Sequence, residues 1–472
     1  MKKSKLGLIA HIQSGPFGTQ LHASDYVQDG IPMINAKNIG EGTLILDSID
    51  YVSPQTCWKL NRYVLQEGDI VFGRAGSIDK HVYIDHKRAG FFQGTNCIRV
   101  RISDLEYAKY LSYYFWSPIV KKQISKKAGG SVLRYLNTDL LNDIEVPLVE
   151  ETNVNISTWL DLLDQKVLLN NRIISELETM AKNVYDYWFV QFDFPDGKVK
   201  PYRASGGEMV WNEQLKREIP KEWEVGKIVD CITHINTGLN PRKNFVLGNG
   251  KNRYITIKNI ENGQIDFNKC DLIDDDALTK IRNRSKIDVG DILYTSIEPI
   301  GRLYLICEYP KDWDINESVF SIRTNLDIVP IEYLYATLNS DIFRTMTKPL
   351  CTGSVQKGIR VGTLEQMPIV VPPHNLLTSF TEYIKPLYDR IGISEKENRE
   401  LTYLRDWLLP MLMNGQVTVS EDRVLQGEFG QKDNKTHEVK KAARTFGTSK
   451  EADDTKDLLR EYLEYKRDEK RT

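Results

Sequence analysis

Asp274-Asp275-Asp276 places three carboxylates in succession, and a divalent cation is what converging carboxylates could hold. Neighbouring carboxylates on one stretch of chain diverge, so the run reads as a solvated turn rather than a metal site. Gly248-Asn249-Gly250-Lys251 has glycines and a lysine of the kind that cradle phosphate, but lacks the leading glycine and the trailing hydroxyl of a P-loop. The GxGxxG, HExxH, GxSxG and EF-hand patterns are absent, as is the Asn/Asp-Pro-Pro-aromatic motif that holds a target amine for methyl transfer. Seven histidines are scattered, and Cys57, Cys97, Cys231, Cys270, Cys307 and Cys351 form no CxxC pair, so neither a disulfide framework nor a zinc site is indicated. No motif supports catalysis, and an enzymatic reading requires a site assembled from distant residues. No metal ligand, cofactor-binding residue or catalytic residue is assigned.

The elements available to position other chemistry follow from length and pattern. At 472 residues with 41% hydrophobic and 10% aromatic content, the chain has apolar material for two or three packed cores. No stretch approaches the roughly 20 apolar residues of a membrane span, and Met1-Lys2-Lys3-Ser4 leads into no signal-peptide core, so a cytoplasmic location is expected. Lysine and arginine (63) nearly balance aspartate and glutamate (65), leaving a net charge of -2. Bulk electrostatics therefore do not favour a polyanionic partner, and any face for one must be local or completed by other subunits.

The two halves of the chain repeat. His11-Ile12-Gln13-Ser14-Gly15 returns as His234-Ile235-Asn236-Thr237-Gly238, Ile34-Asn35-Ala36-Lys37-Asn38-Ile39 as Ile255-Thr256-Ile257-Lys258-Asn259-Ile260, and Glu67-Gly68-Asp69-Ile70 as Val289-Gly290-Asp291-Ile292. Gly130-Ser131-Val132 matches Gly353-Ser354-Val355, Ile144-Glu145-Val146-Pro147 matches Ile369-Val370-Val371-Pro372, and Asn171-Arg172 matches Asn398-Arg399. The spacing drifts only between 221 and 227 residues, as loop insertions between two copies of one fold would produce.

Each copy runs from short alternating strands, punctuated by Gly, Pro and Asn, into a long helix. The first helix carries a seam through Leu160, Leu163, Val167, Asn170, Ile174 and Leu177, and the second a less regular one through Leu387, Ile391, Asn398 and Leu401. Steps of three and four residues are the signature of a coiled-coil pair, in which buried asparagines fix register. Pro386 restricts the second helix to a start or a kink nearby. The expected fold is α+β: two tandem mixed α/β domains separated and joined by two long antiparallel coiled-coil helices, with approximate internal twofold symmetry. The divisions are domain one at 1–150, a spacer helix at 151–191, a linker at 192–218, domain two at 219–373, a second spacer helix at 374–416, and a charged, disordered tail at 417–472. The first helix would form a rod about 50 Å long, at about 1.5 Å per residue.

Taken together, Gly15-Pro16-Phe17-Gly18-Thr19-Gln20-Leu21, Ile219-Pro220-Lys221-Glu222-Trp223-Glu224 and Leu408-Leu409-Pro410-Met411-Leu412-Met413-Asn414-Gly415 resemble type I restriction-modification specificity subunits over residues 4 to 416. The resemblance implies a non-catalytic DNA-reading subunit. Each target-recognition domain would read one half of a bipartite site in double-stranded DNA, and the helices would set half-site spacing and dock two modification (methyltransferase) subunits. Those partners would bind S-adenosylmethionine and methylate adenine N6, while restriction subunits would supply ATP- and Mg-dependent translocation and cleavage. This chain would hold no cofactor. The alternative without DNA is a two-domain interaction scaffold.

Base reading calls for Arg or Lys toward guanine, Asn or Gln toward adenine, and glycine-flanked loops that approach phosphates. Candidates in domain one are Gly18, Thr19, Gln20, Lys37, Asn38, Arg74, Ser77, Ser131 and Arg134. In domain two they are Asn240, Arg242, Lys258, Asn259, Ser296, Arg302, Ser354, Gln356, Lys357 and Arg360. Lys37-Asn38 and Lys258-Asn259 recur although the copies should read different bases, which favours a structural turn or backbone positioning. Arg134, Arg242 and Arg360 are not shared and are the better specificity candidates.

Overall fold

The computed structural model describes residues 2–418 except 41, 47, 75–77, 79, 128–134, 149–151, 197–199 and 354–356, together with 430–431. Two compact units comprise Met1–Val167 with Glu400–Thr472, and Leu168–Arg399. The long helices Thr152–Tyr185 and His374–Met413 each contribute to both units, so the units do not follow the repeat boundary.

In the first unit, His11–Ser14, Cys97–Arg101, Ile70–Gly73 and His81–Tyr83 form an antiparallel four-stranded sheet in that order. Its apolar residues Ile70, Phe72, Ile98 and Val100 pack on Tyr110, Leu111 and Tyr114 of the helix Leu105–Phe115. A smaller sheet joins Tyr26–Val27, Asp50–Val52, Ile31–Ile34 and Phe92–Gln93, the last two parallel. The second unit repeats the plan. Ile232–Thr237, Val319–Thr324, Ile292–Thr295 and Leu303–Leu305 form its four-stranded sheet, while Asp271–Ile273, Asn252–Ile255 and Trp313–Ile315 form the smaller one, again with one parallel pair. Each unit also has a two-stranded antiparallel pair, Lys3–Lys5 with Glu145–Pro147 in the first and Glu224–Lys227 with Pro368–Val371 in the second.

Why these segments recur is visible in the backbone. A Cβ on Gly15 would collide with the Gly94 carbonyl, and one on Gly238 with the Ile315 carbonyl, so each copy needs glycine where two chain segments cross. Gly68 and Gly290 both have φ of 86°, a conformation that L side chains resist, just before the buried Asp69 and Asp291. The segment read as a linker is instead built into the second unit. Phe192 and Phe194 are buried against Trp223, Tyr202 stacks on Phe194, and Met209–Asn212 pairs with Arg217–Pro220.

Within each unit the two long helices touch. In the first, Ile156, Trp159 and Leu160 share a core with Leu408, Leu409 and Leu412, Leu163 packs against it, and Arg405 donates to Asp164 at 2.7 Å. In the second, the fully buried Asn170 donates through Nδ2 to Asn398 Oδ1 at 3.0 Å and to Glu397 Oε2 at 2.8 Å, while Asn398 donates to Asn171 at 2.8 Å. Ile174 and Ile391 are buried, Val167, Leu177 and Leu401 are half-buried, and Leu387 packs on the second unit's core. Pro386 lies well inside the helix His374–Met413, so its placement in the first turns does not hold. Of the charged tail, 419–429 and 432–472 lie outside the described residues.

Two carboxyls on these helices are held away from water in the second unit. Burial raises Glu178 to about 7. Burial, opposed by the Arg399 cation and reinforced by Glu178 and Glu308, raises Glu395 to about 8. Because the folded values lie above the ordinary 4.5, the folded state binds more protons than the unfolded state between them. The associated stability is therefore complete below pH 4.5 and is lost as pH rises toward 8. Glu395→Gln, which removes the ionisation but keeps a buried amide, is expected to stabilise the chain by up to about 5 kcal/mol at alkaline pH and little at acid pH. Unfolding followed across this range checks it; parallel pH profiles for parent and variant would rule it out.

Candidate nucleic-acid interface

In each unit the end of the central strand gathers the same backbone. The Arg74 N–H donates to the Asn96 carbonyl at 2.9 Å, and its own carbonyl accepts from Leu136 N–H at 2.9 Å. In the second unit Ser296 N–H donates to Ser318 at 2.9 Å, and its carbonyl accepts from Ile359 N–H at 2.8 Å. These bonds bring Leu136 and Ile359 to the strand ends. Ser77, Ser131, Arg134, Ser354 and Gln356 lie outside the described residues. Arg74 is half-buried, and its guanidinium has no partner among the described residues. Lys357 and Arg360 are exposed, and neither pairs with a carboxylate among the described residues.

Several candidates make their contacts within the fold. Asn38 is buried; its Oδ1 accepts from Asn35 N–H at 3.0 Å and its Nδ2 donates to the Ile45 carbonyl at 3.0 Å. Asn259 is buried likewise, accepting from Thr256 N–H and Oγ1, both at 2.9 Å. Each asparagine closes a one-turn 3-10 helix, which explains why the motif recurs. Ser296 is buried and donates to the Ser318 carbonyl at 2.9 Å. Arg302 is committed to the Ile260 carbonyl and to Glu261, both at 3.0 Å. Lys37 is tied to Asp50 at 3.0 Å, whereas Lys258 is exposed.

A second gathering place lies beside the smaller sheet, where the loop following the first strand meets a helix. In the first unit Gly18 and Thr19 are exposed, and Gln20 Oε1 accepts from Phe17 N–H at 3.3 Å and Tyr63 Oη–H at 2.8 Å. Both lone pairs of that oxygen are used, so only the Gln20 amino group remains to donate, and the two-sided pairing that adenine requires is not available in this arrangement. Leu21 packs with Cys57 and Tyr63, joining the loop to the helix Pro54–Lys59. In the second unit Leu239 and Phe245 pack with Leu278 and Ile281, joining the loop that carries Asn240 and Arg242 to the helix Asp275–Ser285. Asn240 is half-buried and Arg242 exposed.

This geometry identifies residues that the sequence reading passed over. Lys280 Nζ reaches the Asn244 carbonyl at 3.4 Å and Arg284 donates to Thr237 Oγ1 at 3.1 Å, so both border the Arg242 loop. Their four-residue spacing on one helix face was the available signal, but it required the helix register. Asp274, in the acidic run, caps that helix by accepting from Ala277 N–H at 2.8 Å. Among the described residues no group of His, Cys, Asp and Glu could hold a metal, and no helix is long and apolar enough to cross a membrane.

Comparison with known proteins places this doubled architecture. The type I restriction modification DNA specificity domain matches residues 1–179 and 220–403. The chain is 24% identical over 321 residues to the type I restriction enzyme MjaIX specificity subunit of Methanocaldococcus jannaschii, covering 66% of this chain and 70% of that protein. It is 22% identical over 347 residues to the HindI specificity subunit of Haemophilus influenzae, covering 63% and 74%. Among solved structures, the type I restriction-modification S subunit from M. genitalium aligns over 87% of this chain and 96% of that one at 13% identity, with a TM-score of 0.51, a likeness of fold.

Proposed function

Since the chain belongs to the type I restriction-modification DNA specificity family and is a DNA sequence-specificity subunit, we propose that each of its two repeats reads one half of a bipartite duplex site. The chain is non-catalytic. Its long helices dock two methyltransferase subunits and set the half-site spacing as a coiled-coil pair, and the approximate twofold relation of the repeats has them address opposite strands. S-adenosylmethionine binds the methyltransferase subunits, ATP and Mg the restriction subunits, and this chain carries no cofactor.

One observation carries the reading: several residues matched between the copies serve the scaffold, while two unmatched arginines are exposed. Gly15 and Gly238, Asp69 and Asp291, and Asn38 and Asn259 are occupied by backbone crossings or internal hydrogen bonds. Arg242 and Arg360, which have no matching cation in the other copy, are exposed. Two frames with different surface residues suit a protein that must recognise two different half-sites. Sequencing of methylated adenines in the source strain, with and without this chain, tests the proposal. A bipartite methylated motif that disappears on deletion is expected; an unchanged methylation pattern, or a complex with modification subunits that methylates no defined bipartite site, would sink it.

A further inference from the structure

We infer that the two units grip duplex DNA with opposite chemistries at one shared position of the fold: cations that anchor phosphate in the second unit, and exposed aromatic rings that make apolar groove contacts in the first. The inference rests on the DNA-reading role proposed above and adds a division of labour to it. The shared position is the loop after the first strand of the four-stranded sheet, together with the helix that follows a strand of the smaller sheet. In both units a satellite core joins them, Leu21 with Cys57 in the first and Leu239 with Leu278 in the second.

In the second unit this position is cationic. Arg242 and Lys243 are exposed on the loop, and Lys280 and Arg284 are exposed on the helix, one turn apart and against that loop. Among the described residues none of the four pairs with a carboxylate. Other arginines of the unit do: Arg253 with Asp312, Arg302 with Glu261, Arg323 with Asp291 and Arg399 with Glu308. Of the acidic start of the helix, Asp274 caps the helix and Asp275 is held by Lys251 and Asn252, while Asp276, one turn before Lys280, forms no ion pair with it. On a chain whose net charge is -2, four uncompensated cations on one small surface are a local phosphate site.

In the first unit the same position presents exposed rings. Phe17 on the loop is 60% exposed and Trp58 on the helix is 80% exposed. Nearby Arg62 is exposed, with its guanidinium 4.8 Å from the Tyr63 ring centroid and donating to the Tyr63 hydroxyl. Lys59 is the helix's single cation. Rings left in water at the place where the sister unit carries charge suit contact with thymine methyl groups or a loosened base step, which depends little on salt.

The test uses the complete chain assembled with its modification subunits and a duplex containing the bipartite site, with affinity measured across a range of KCl concentrations. Arg242→Gln with Lys280→Gln and Arg284→Gln is expected to reduce the slope of log affinity against log salt by about 2 to 3 and to weaken low-salt binding roughly 10- to 100-fold. Phe17→Ala with Trp58→Ala is expected to leave the slope unchanged, to weaken binding about 10-fold at every salt concentration and to relax discrimination in one half-site only. Arg242→Lys with Arg284→Lys should keep the parental slope, and Trp58→Phe should recover part of the lost affinity. Should the triple variant unfold, Lys280→Gln alone, with no carboxylate to leave behind, should lower the slope by about 1. Equal slope changes from both sets, or unchanged binding in folded variants while the parent binds its site, overturn this inference and leave the DNA-reading role standing. A parental complex that binds no bipartite site removes both.

Discussion

Arg323→Ala is expected to destabilise the second unit by about 3–5 kcal/mol, because it strands a buried carboxylate. Asp291 has no exposed side-chain surface. It receives Arg323 Nε at 2.7 Å and Nη2 at 2.9 Å, the Ser321 hydroxyl at 3.0 Å and the Asp288 N–H at 2.9 Å. Without the guanidinium, the ionised form keeps only neutral donors in a site closed to water. The first unit contains the same device. Asp69, equally buried, receives Arg101 Nε at 2.6 Å and Nη2 at 2.7 Å and the Gln66 N–H at 2.7 Å. Arg101→Ala should therefore cost a similar amount, and denaturant unfolding with probes in each unit would show it. Asp291→Leu combined with Arg323→Met should recover most of the loss, since the penalty belongs to the unpaired charge rather than to the missing bond. A cost below about 1 kcal/mol for either single variant would mean that the pair behaves as an exposed one.

That pair shows where reading from sequence alone succeeds and where it stops. The Gly-Asp match at Gly68-Asp69 and Gly290-Asp291 was visible because its members are adjacent. The partners Arg101 and Arg323 were not singled out, because they face the aspartates across a strand pairing that only the register reveals. The repeat, the paired halves and the two long helices were legible for the same reason: periodicity and order survive divergence. Candidate readers were legible by residue type alone, and type does not report where a side chain is spent. The candidates Arg302 and Gln20 are bonded internally, while Lys280 and Arg284, not among the candidates, border the Arg242 loop. The segment at 192–218 read as a linker from its turn residues, yet its aromatic residues are what the Trp223 ring packs against.

Phe380→Ala is expected to cost about 3–5 kcal/mol and to loosen the second long helix from the recognition region of its own unit. Phe380 is fully buried where three elements meet. Its ring lies 4.8 Å from Phe189 and 5.8 Å from Trp188, on the π-turn that ends the first long helix, and 6.4 Å from Tyr333 of the helix Ile331–Asn339. Edge contacts among such rings add to their burial, and truncation opens a cavity that stiff aromatic neighbours cannot collapse to fill. Tyr333 also donates to the Val370 carbonyl at 2.7 Å, on the strand that leads into the second helix, so loss of the ring should propagate to that junction. The first unit offers an internal control. Its junction packs Ile156, Trp159 and Leu160 with Leu408 and Leu412, and around Leu412 the aliphatic side chains rearrange more readily than stiff rings. Leu412→Ala should therefore fall nearer the lower end of the roughly 2–5 kcal/mol range for aliphatic truncation. Hydrogen exchange should show Phe380→Ala deprotecting the start of His374–Met413 while the four-stranded sheet of the second unit keeps its protection. Uniform loss of protection across the unit would instead make the aromatic cluster part of one cooperative core, and the helix no separable attachment.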